Sequence, residues 1–150
     1  MKSQQWEKTG IIEVAIVAMW RQAADGAVDV LLTRRPQGVH MGGLWEFPGG
    51  KIEGEEPAAN AACRELWEEL GLIIAPAALE PLPMHRHAYP ERVVLLYPFL
   101  TRWPQVPLRK GLGVTGVAWA STLELDRFPM PPANRPIINT LLARLASVGR

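Results

Sequence analysis

The sequence predicts an α/β domain, and three observations carry that class. Residues 11–20 are almost continuously apolar and rich in Val and Ile, the pattern of a central strand covered on both faces. Residues 58–70 follow a proline, hold no Gly or further Pro, and have high helix propensity. Residues 136–145 open on Pro136 and place Ile137, Ile138, Leu141, Leu142 and Leu145 along one helical stripe.

After the first strand, Asp25-Gly26 marks a turn over 22–27, and residues 28–34 return as a second strand. A loop over 36–43 leads to a short strand at 44–47 and then to a glycine turn, Phe47-Pro48-Gly49-Gly50-Lys51. The helix at 58–70 starts at Pro57, whose missing N–H costs nothing in a first turn, and stops at Gly71. Residues 72–74 and a proline-rich connection, 76–83, follow. Residues 84–89 and 93–101 form a strand pair turning at Pro90-Glu91, and Pro98 assigns part of the second strand to an edge or a bulge. The stretch 103–116, with its prolines, glycines and Arg109-Lys110, is a loop. A short strand at 117–120 precedes a short helix begun by Ser121, with Glu124 as its capping-box partner. Gly149 follows the end of the last helix. No repeat, low-complexity tract or interdomain linker interrupts this order, so residues 1–150 are read as one domain.

At 150 residues the chain is long enough to bury a sizeable core, and its 48% apolar and 21% charged content is that of a globular protein. A net charge of +1 gives no polycationic surface for polymeric nucleic acid and no strong attraction to a membrane. The single cysteine, Cys63, rules out an internal disulfide and lies on the core side of its helix. The opening residues are polar, unlike a signal peptide, and no apolar run approaches the ~20 residues that span a bilayer. The expectation is a cytoplasmic protein, monomer or homodimer.

The chemistry concentrates between Gly50 and Leu72. Gly50 is followed after five residues by Glu56, and after seven more by Arg64, Glu65 and Leu66; Glu68, Glu69, Gly71 and Leu72 complete the pattern. These fixed positions would match by accident with odds of ~10⁻⁹ or less per starting point at average residue usage. On the helix, Glu65 stands three residues from Glu68 and four from Glu69, so the three carboxylates form one patch, while Cys63, Leu66 and Leu70 lie on another side as core. The patch occupies the last two turns, at the negative end of the helix dipole, and like charges four apart cost about 0.2–0.5 kcal/mol more. A structural purpose explains such a patch poorly; a bound cation explains it. An acidic set without His or Cys suits a hard ion, Mg²⁺ or Mn²⁺ rather than Zn²⁺. The preceding glycines let the backbone approach a phosphate or a metal. The alternative, a solvated acidic helix end, accounts for the helix but not for the glycine turn and Glu56 at their fixed spacing.

That pattern resembles the Nudix box, the signature of hydrolases that cut a nucleoside diphosphate linked to another group. A wider resemblance, over roughly residues 14–145, is to the MutT branch of that family, the 8-oxo-dGTP diphosphatases. Three pieces carry it: Thr33-Arg34-Arg35 followed by His40-Met41; Glu46-Phe47-Pro48-Gly49-Gly50-Lys51-Ile52-Glu53, running into the box; and Pro131-Pro132-Ala133-Asn134-Arg135-Pro136 before the last helix. The resemblance implies the Nudix fold, a mixed β-sheet sandwiched between α-helices. It also implies water attack on the β-phosphorus of a nucleoside triphosphate, giving the monophosphate and pyrophosphate, with Mg²⁺ as cofactor, Mn²⁺ as substitute, and a place in nucleotide-pool sanitation and DNA repair.

By the same resemblance, Glu56, Glu68 and Glu69 match metal ligands, together with a glycine carbonyl at Gly49, and Glu65 matches a metal ligand or general base. Glu65, Glu68 and Arg64 form the expected catalytic set. A triphosphate carries about four negative charges, which metal ions must offset while organising the attacking water. The helical offset of Arg64 turns it away from the carboxylate patch, so that it orients the loop. Arg35 and Arg92 match positions near phosphate and base; their alternative is an ordinary surface arginine.

Asn134 is the specificity candidate. Guanine offers two acceptors, N7 and O6, on its Hoogsteen edge, whereas N7 of 8-oxoguanine carries a hydrogen. An amide, with one donor and one acceptor, pairs with the second edge and is opposed by the first. Its alternative role is a helix cap. Phe47 either stacks on the base or belongs to the core. His85 and His87 share a strand face without a third ligand at suitable spacing and are assigned to packing or substrate contact; His40 lies in a loop and is assigned no role. Trp45, Trp67 and Trp119 are assigned to core or packing. One departure concerns the catalytic set: branch members often carry a further glutamate after the second hairpin strand, but no acid occurs here between Arg92 and Thr122, and Gly113 or a neighbour takes that place. Two rival functions are a Nudix enzyme acting on CTP or another pyrimidine nucleotide, and a non-catalytic module that recognises 8-oxoguanine. An intact glutamate set argues against the second.

Overall fold

The structure, a computed structural model, describes residues 10–39, 41–111 and 113–147. His40, Gly149 and the polar opening segment lie outside the described residues. Among the described residues, eight strands form one mixed sheet with a helix on each face, the fold class expected from the sequence.

Strand β1 (Ile11–Gln22) is the centre. One edge runs parallel to β7 (Arg92–Arg102), from Ile11 opposite Val93 to Trp20 opposite Arg102. The other edge is divided. Its end pairs antiparallel with β2 (Val28–Arg34), and its first half with β4 (Gly49–Lys51), Val14 facing Lys51 and Ile16 facing Gly49. Beyond β2 lie β3 (Trp45–Glu46) and β8 (Gly116–Ser121); beyond β7 lie β5 (Glu80–Pro81) and β6 (His85–Tyr89). The sheet thus forks along β1, and β4 enters the fork.

Alternation along β1 builds two cores. Ala15, Val17 and Met19 pack with Ala61, Ala62, Leu66 and Leu70 of α1 (Ala58–Leu70). Ile16, Ala18 and Trp20 pack with Ile137, Leu141 and Leu145 of α2 (Arg135–Leu145). Successive strand residues face opposite ways, so a strand between two helices must be apolar without interruption. Among the described residues, no helix is long and apolar enough to cross a membrane.

Several local expectations are corrected. The glycine turn is itself a strand, β4. Helix α1 starts one residue later than expected, with extended Pro57 at its N-cap, and stops as expected at left-handed Gly71, φ 68°. Pro98 lies in interior strand β7, not at an edge, and the bulge alternative holds: residues 82–84 face residues 97–98 where the partner of β7 changes from β6 to β5. The Leu82 N–H donates to the Pro98 carbonyl at 2.9 Å, so the side of Pro98 that lacks an N–H faces this irregularity. Ser121 ends β8 instead of opening a helix. Its hydroxyl accepts from the Leu123 N–H at 3.2 Å, which stabilises a turn, and a single 3₁₀ turn follows at Leu125–Arg127.

Candidate active site

The acidic end of α1 is organised around Arg64. Its Nη2 donates to Glu56 at 2.7 Å and to the Lys51 carbonyl at 3.0 Å. Its Nη1 donates to Glu65 at 2.9 Å, and lies 3.4 Å from Glu68 and 3.8 Å from Glu53. The expectation that Arg64 points away from the patch is therefore wrong in its first half and right in its second. A long side chain reaches around the helix, and the guanidinium settles where negative charge is densest while still fixing the 51–56 loop. The Glu53 N–H closes that loop on Glu56 at 2.8 Å.

Glu69 stands apart from Arg64 and accepts from the Gly49 N–H at 3.3 Å. Burial, then the charges of Glu65 and Glu46, push its pKa up to about 9. Burial also raises Glu65, against the opposing pull of Arg64, and raises Glu46 against Arg35. The hydrogen bond to Glu56 keeps Arg64 more firmly protonated than usual. Carboxyl groups thus outnumber the guanidinium groups that pair with them and stand partly out of water, as a set of oxygen donors that resists ionising without a further cation. That chemistry fits a hard divalent ion. As they stand, no three acidic, His or Cys side chains among the described residues are gathered around an ion-sized gap; the carboxylates of Glu56, Glu65 and Glu68 are turned onto the guanidinium.

Strand β4 lets the carboxylates approach. A Cβ added at Gly50 would lie 2.5 Å from the Glu65 carboxyl carbon, and one at Gly49 would overlap the Ala15 carbonyl oxygen of β1. A side chain at Gly50 would displace the Glu65 carboxyl, and one at Gly49 would push β4 away from β1.

On the far side of β4 a pocket opens over the α2 face of the sheet. Ile12, Val14 and Ile16 of β1, with Val94 and Leu96 of β7, line it alongside Gly49, Gly50 and Lys51. Arg35, Phe47, Arg92 and Asn134 all border this pocket, so the structure brings the four expected substrate residues together. Phe47 is only 1% exposed and belongs to the α2-side core, the second of its two alternatives. Asn134 sits at the N-cap position of α2 but makes no side-chain cap hydrogen bond, with φ −81° and ψ −18°. Its capping alternative is set aside, and its amide is left to the pocket.

Glu46 and Tyr89 are polar pocket residues without an expected role. Glu46 borders the pocket, lies 3.4 Å from Arg35 and influences Glu69, so it links the two halves of the site. Its place beside Phe47 in the motif was the available signal. Tyr89 also borders the pocket, and its hydroxyl accepts from the Ala133 N–H at 3.3 Å; no local pattern marks a contact between chain positions so far apart. His85 and His87 make contacts within the fold: His85 Nε2 lies 3.2 Å from the Thr140 hydroxyl, and His87 meets Tyr89 edge-on. Trp45 packs on Phe128 and Trp119 on Trp103, while Trp67, 48% exposed, is not core and carries Arg109 over its ring. Cys63 packs against the α1-side core, and burial raises its thiol.

The carboxylates of α1, the glycine strand and the pocket residues Arg35, Phe47, Arg92 and Asn134 all lie within a stretch that matches a known family. The chain belongs to the NUDIX domain family, whose description matches residues 16–140, and it is a Nudix hydrolase. The 8-oxo-dGTP diphosphatase of Escherichia coli (strain K12) is 38% identical over 114 residues, 75% of this chain and 85% of that protein. The CTP pyrophosphohydrolase of the same strain is 32% identical over 121 residues, 79% of this chain and 85% of that protein. The solution structure of the E. coli ORF135 protein is similar with a TM-score of 0.72 at 31% identity, over 91% of this chain and 92% of that one.

Proposed function

We propose that this Nudix hydrolase converts 8-oxo-dGTP and water to 8-oxo-dGMP and pyrophosphate in the cytoplasm, with Mg²⁺ or Mn²⁺ as cofactor. One observation carries the reading: the pocket and the carboxylate cluster share strand β4, so a nucleotide with its base in the pocket extends its phosphates over Gly49–Lys51 toward α1.

Glu56, Glu65, Glu68, Glu69 and the Gly49 carbonyl are the groups that would hold the ions. Bound there, the ions supply charge neutralisation and a more acidic attacking water. Arg64 keeps the 51–56 loop against the helix and shares its charge among the carboxylates. Glu65, packed on Gly50, accepts the proton of the attacking water. The water oxygen bonds to the β-phosphorus, the bond from that phosphorus to the α–β bridging oxygen breaks, 8-oxo-dGMP departs with that oxygen, and the β- and γ-phosphates become pyrophosphate carrying the water oxygen. Arg35 and Arg92 offer positive charge at the pocket, and Asn134 reads the Hoogsteen edge of the base.

A second reading, hydrolysis of CTP or a related pyrimidine nucleotide, is favoured by the likeness to CTP pyrophosphohydrolase. A substrate panel with Mg²⁺, scored for pyrophosphate against orthophosphate, separates the two. The expected result is the highest kcat/KM on 8-oxo-dGTP, with pyrophosphate released and most turnover lost in Glu68→Gln. Highest efficiency on CTP would establish the second reading. Orthophosphate as the first product, or full activity in Glu68→Gln, would sink the mechanism.

A further inference from the structure

The last carbonyls of a helix have no partner within the helix. In α1 the loop after β7 supplies two of them. The Arg109 N–H donates to the Leu70 carbonyl at 3.1 Å, and the Gly111 N–H donates to the Glu69 carbonyl at 2.7 Å. The Arg109 side chain then folds over the helix end. Its guanidinium carbon lies 5.0 Å from the centre of the Trp67 ring, and a Cβ added at Gly71 would overlap its Nε. At Gly111 the approach is closer still: a Cβ there would overlap the Glu68 carbonyl oxygen. The φ of Gly111 is not in the left-handed region, so contact rather than backbone conformation requires glycine.

These contacts fall on the turn that carries Glu68 and Glu69. The same loop offers no carboxylate, since no acid lies between Arg92 and Thr122. What it brings is two amides and a guanidinium, at the helix end where the dipole is negative. We propose that residues 109–111 act as a clamp that sets the position of Glu68 and Glu69, with Arg109 and Gly111 as positioning residues for the hydrolysis. The inference rests on the reading that Glu68 and Glu69 hold the metal. It assigns to this loop a supporting role through backbone and stacking contacts, in place of a direct ligand.

The test uses the full chain and measures Mn²⁺ binding without nucleotide by electron paramagnetic resonance, the Mg²⁺ dependence of pyrophosphate release, and thermal unfolding. Gly111→Ala should weaken Mn²⁺ binding about 10-fold or more and raise the Mg²⁺ requirement by the same factor, the scale of losing a group that orients a ligand. KM for the nucleotide at saturating Mg²⁺ should stay within about twofold, because the pocket lies across β4 from the clamp. Arg109→Ala keeps both backbone hydrogen bonds and should shift metal binding in the same direction by about threefold. Unchanged Mn²⁺ affinity in folded Gly111→Ala overturns the clamp. If Gly111→Ala does not fold, unchanged affinity in Arg109→Ala does so. Glu68→Gln tells the two levels apart: if it binds Mn²⁺ like the wild type, the metal assignment itself fails, whereas loss there with no effect at Gly111 removes only the clamp.

Discussion

Asn134 is buried to 6% exposure, stands at a helix start and yet does not cap the helix. Its amide is therefore available to a base, and the donor–acceptor order of the base edge decides whether contact helps or harms. Asn134→Ala should narrow the preference for 8-oxo-dGTP over dGTP by about 10²-fold, within the range a hydrogen-bonding site can discriminate. Measuring kcat/KM for both nucleotides checks this, and an unaltered ratio would take Asn134 out of recognition. Glu69 makes a different prediction. Its pKa of about 9, against an ordinary 4.5, means that the folded protein binds this proton more tightly than the unfolded chain. The stabilising contribution is complete below 4.5 and is lost as pH rises toward 9 in the metal-free protein. Ion binding needs the carboxylate and gains over the same window. Mg²⁺ affinity should rise from pH ~7 to ~9, with protons released on binding. Calorimetry in buffers of different ionisation enthalpy would show it; pH-independent affinity would contradict it.

At the scale of elements, β4 matters more than its three residues suggest. Paired to β1 on one side and packed against α1, it is thin because both its first residues are glycines. Gly50→Ala should push the Glu65 carboxyl away and lower kcat by about 10²-fold, the cost of a displacement near 1 Å at a reacting group. The fold should survive, since Gly50 is not in the left-handed region. Thermal unfolding together with kcat checks both halves, and a variant that keeps wild-type kcat would show that the close approach is incidental. The sequence made α1 legible from its cap, its helix formers and Gly71, because those signals act within a few residues. It left β4 looking like a turn, because a three-residue glycine segment becomes a strand only when β1 offers it hydrogen-bond partners. Arg64 was misplaced for a related reason: an ideal helical offset gives the direction of Cα–Cβ, not the reach of a guanidinium drawn to four carboxylates.

For the whole molecule, two cores share one sheet. Leu141 is fully buried in the α2-side core, and Leu141→Ala should destabilise the protein by about 2–5 kcal/mol. Urea denaturation measures this, and a loss below ~1 kcal/mol would mean that α2 contributes little to the core. The sequence by itself determined the class, the two helices, the central strand and the acidic residues of the box. Each of these is written in spacing along a single segment, and spacing within a segment is fixed by helix and strand geometry. Only the tertiary structure decided that Glu69 meets Gly49, that Tyr89 and Asn134 border one pocket, that Pro98 sits inside the sheet beside a change of register, and that residues 109–111 close the end of α1. Those contacts join segments that sheet pairing and core burial bring together, and no local pattern of residues encodes which distant carbonyl or carboxylate will be waiting there.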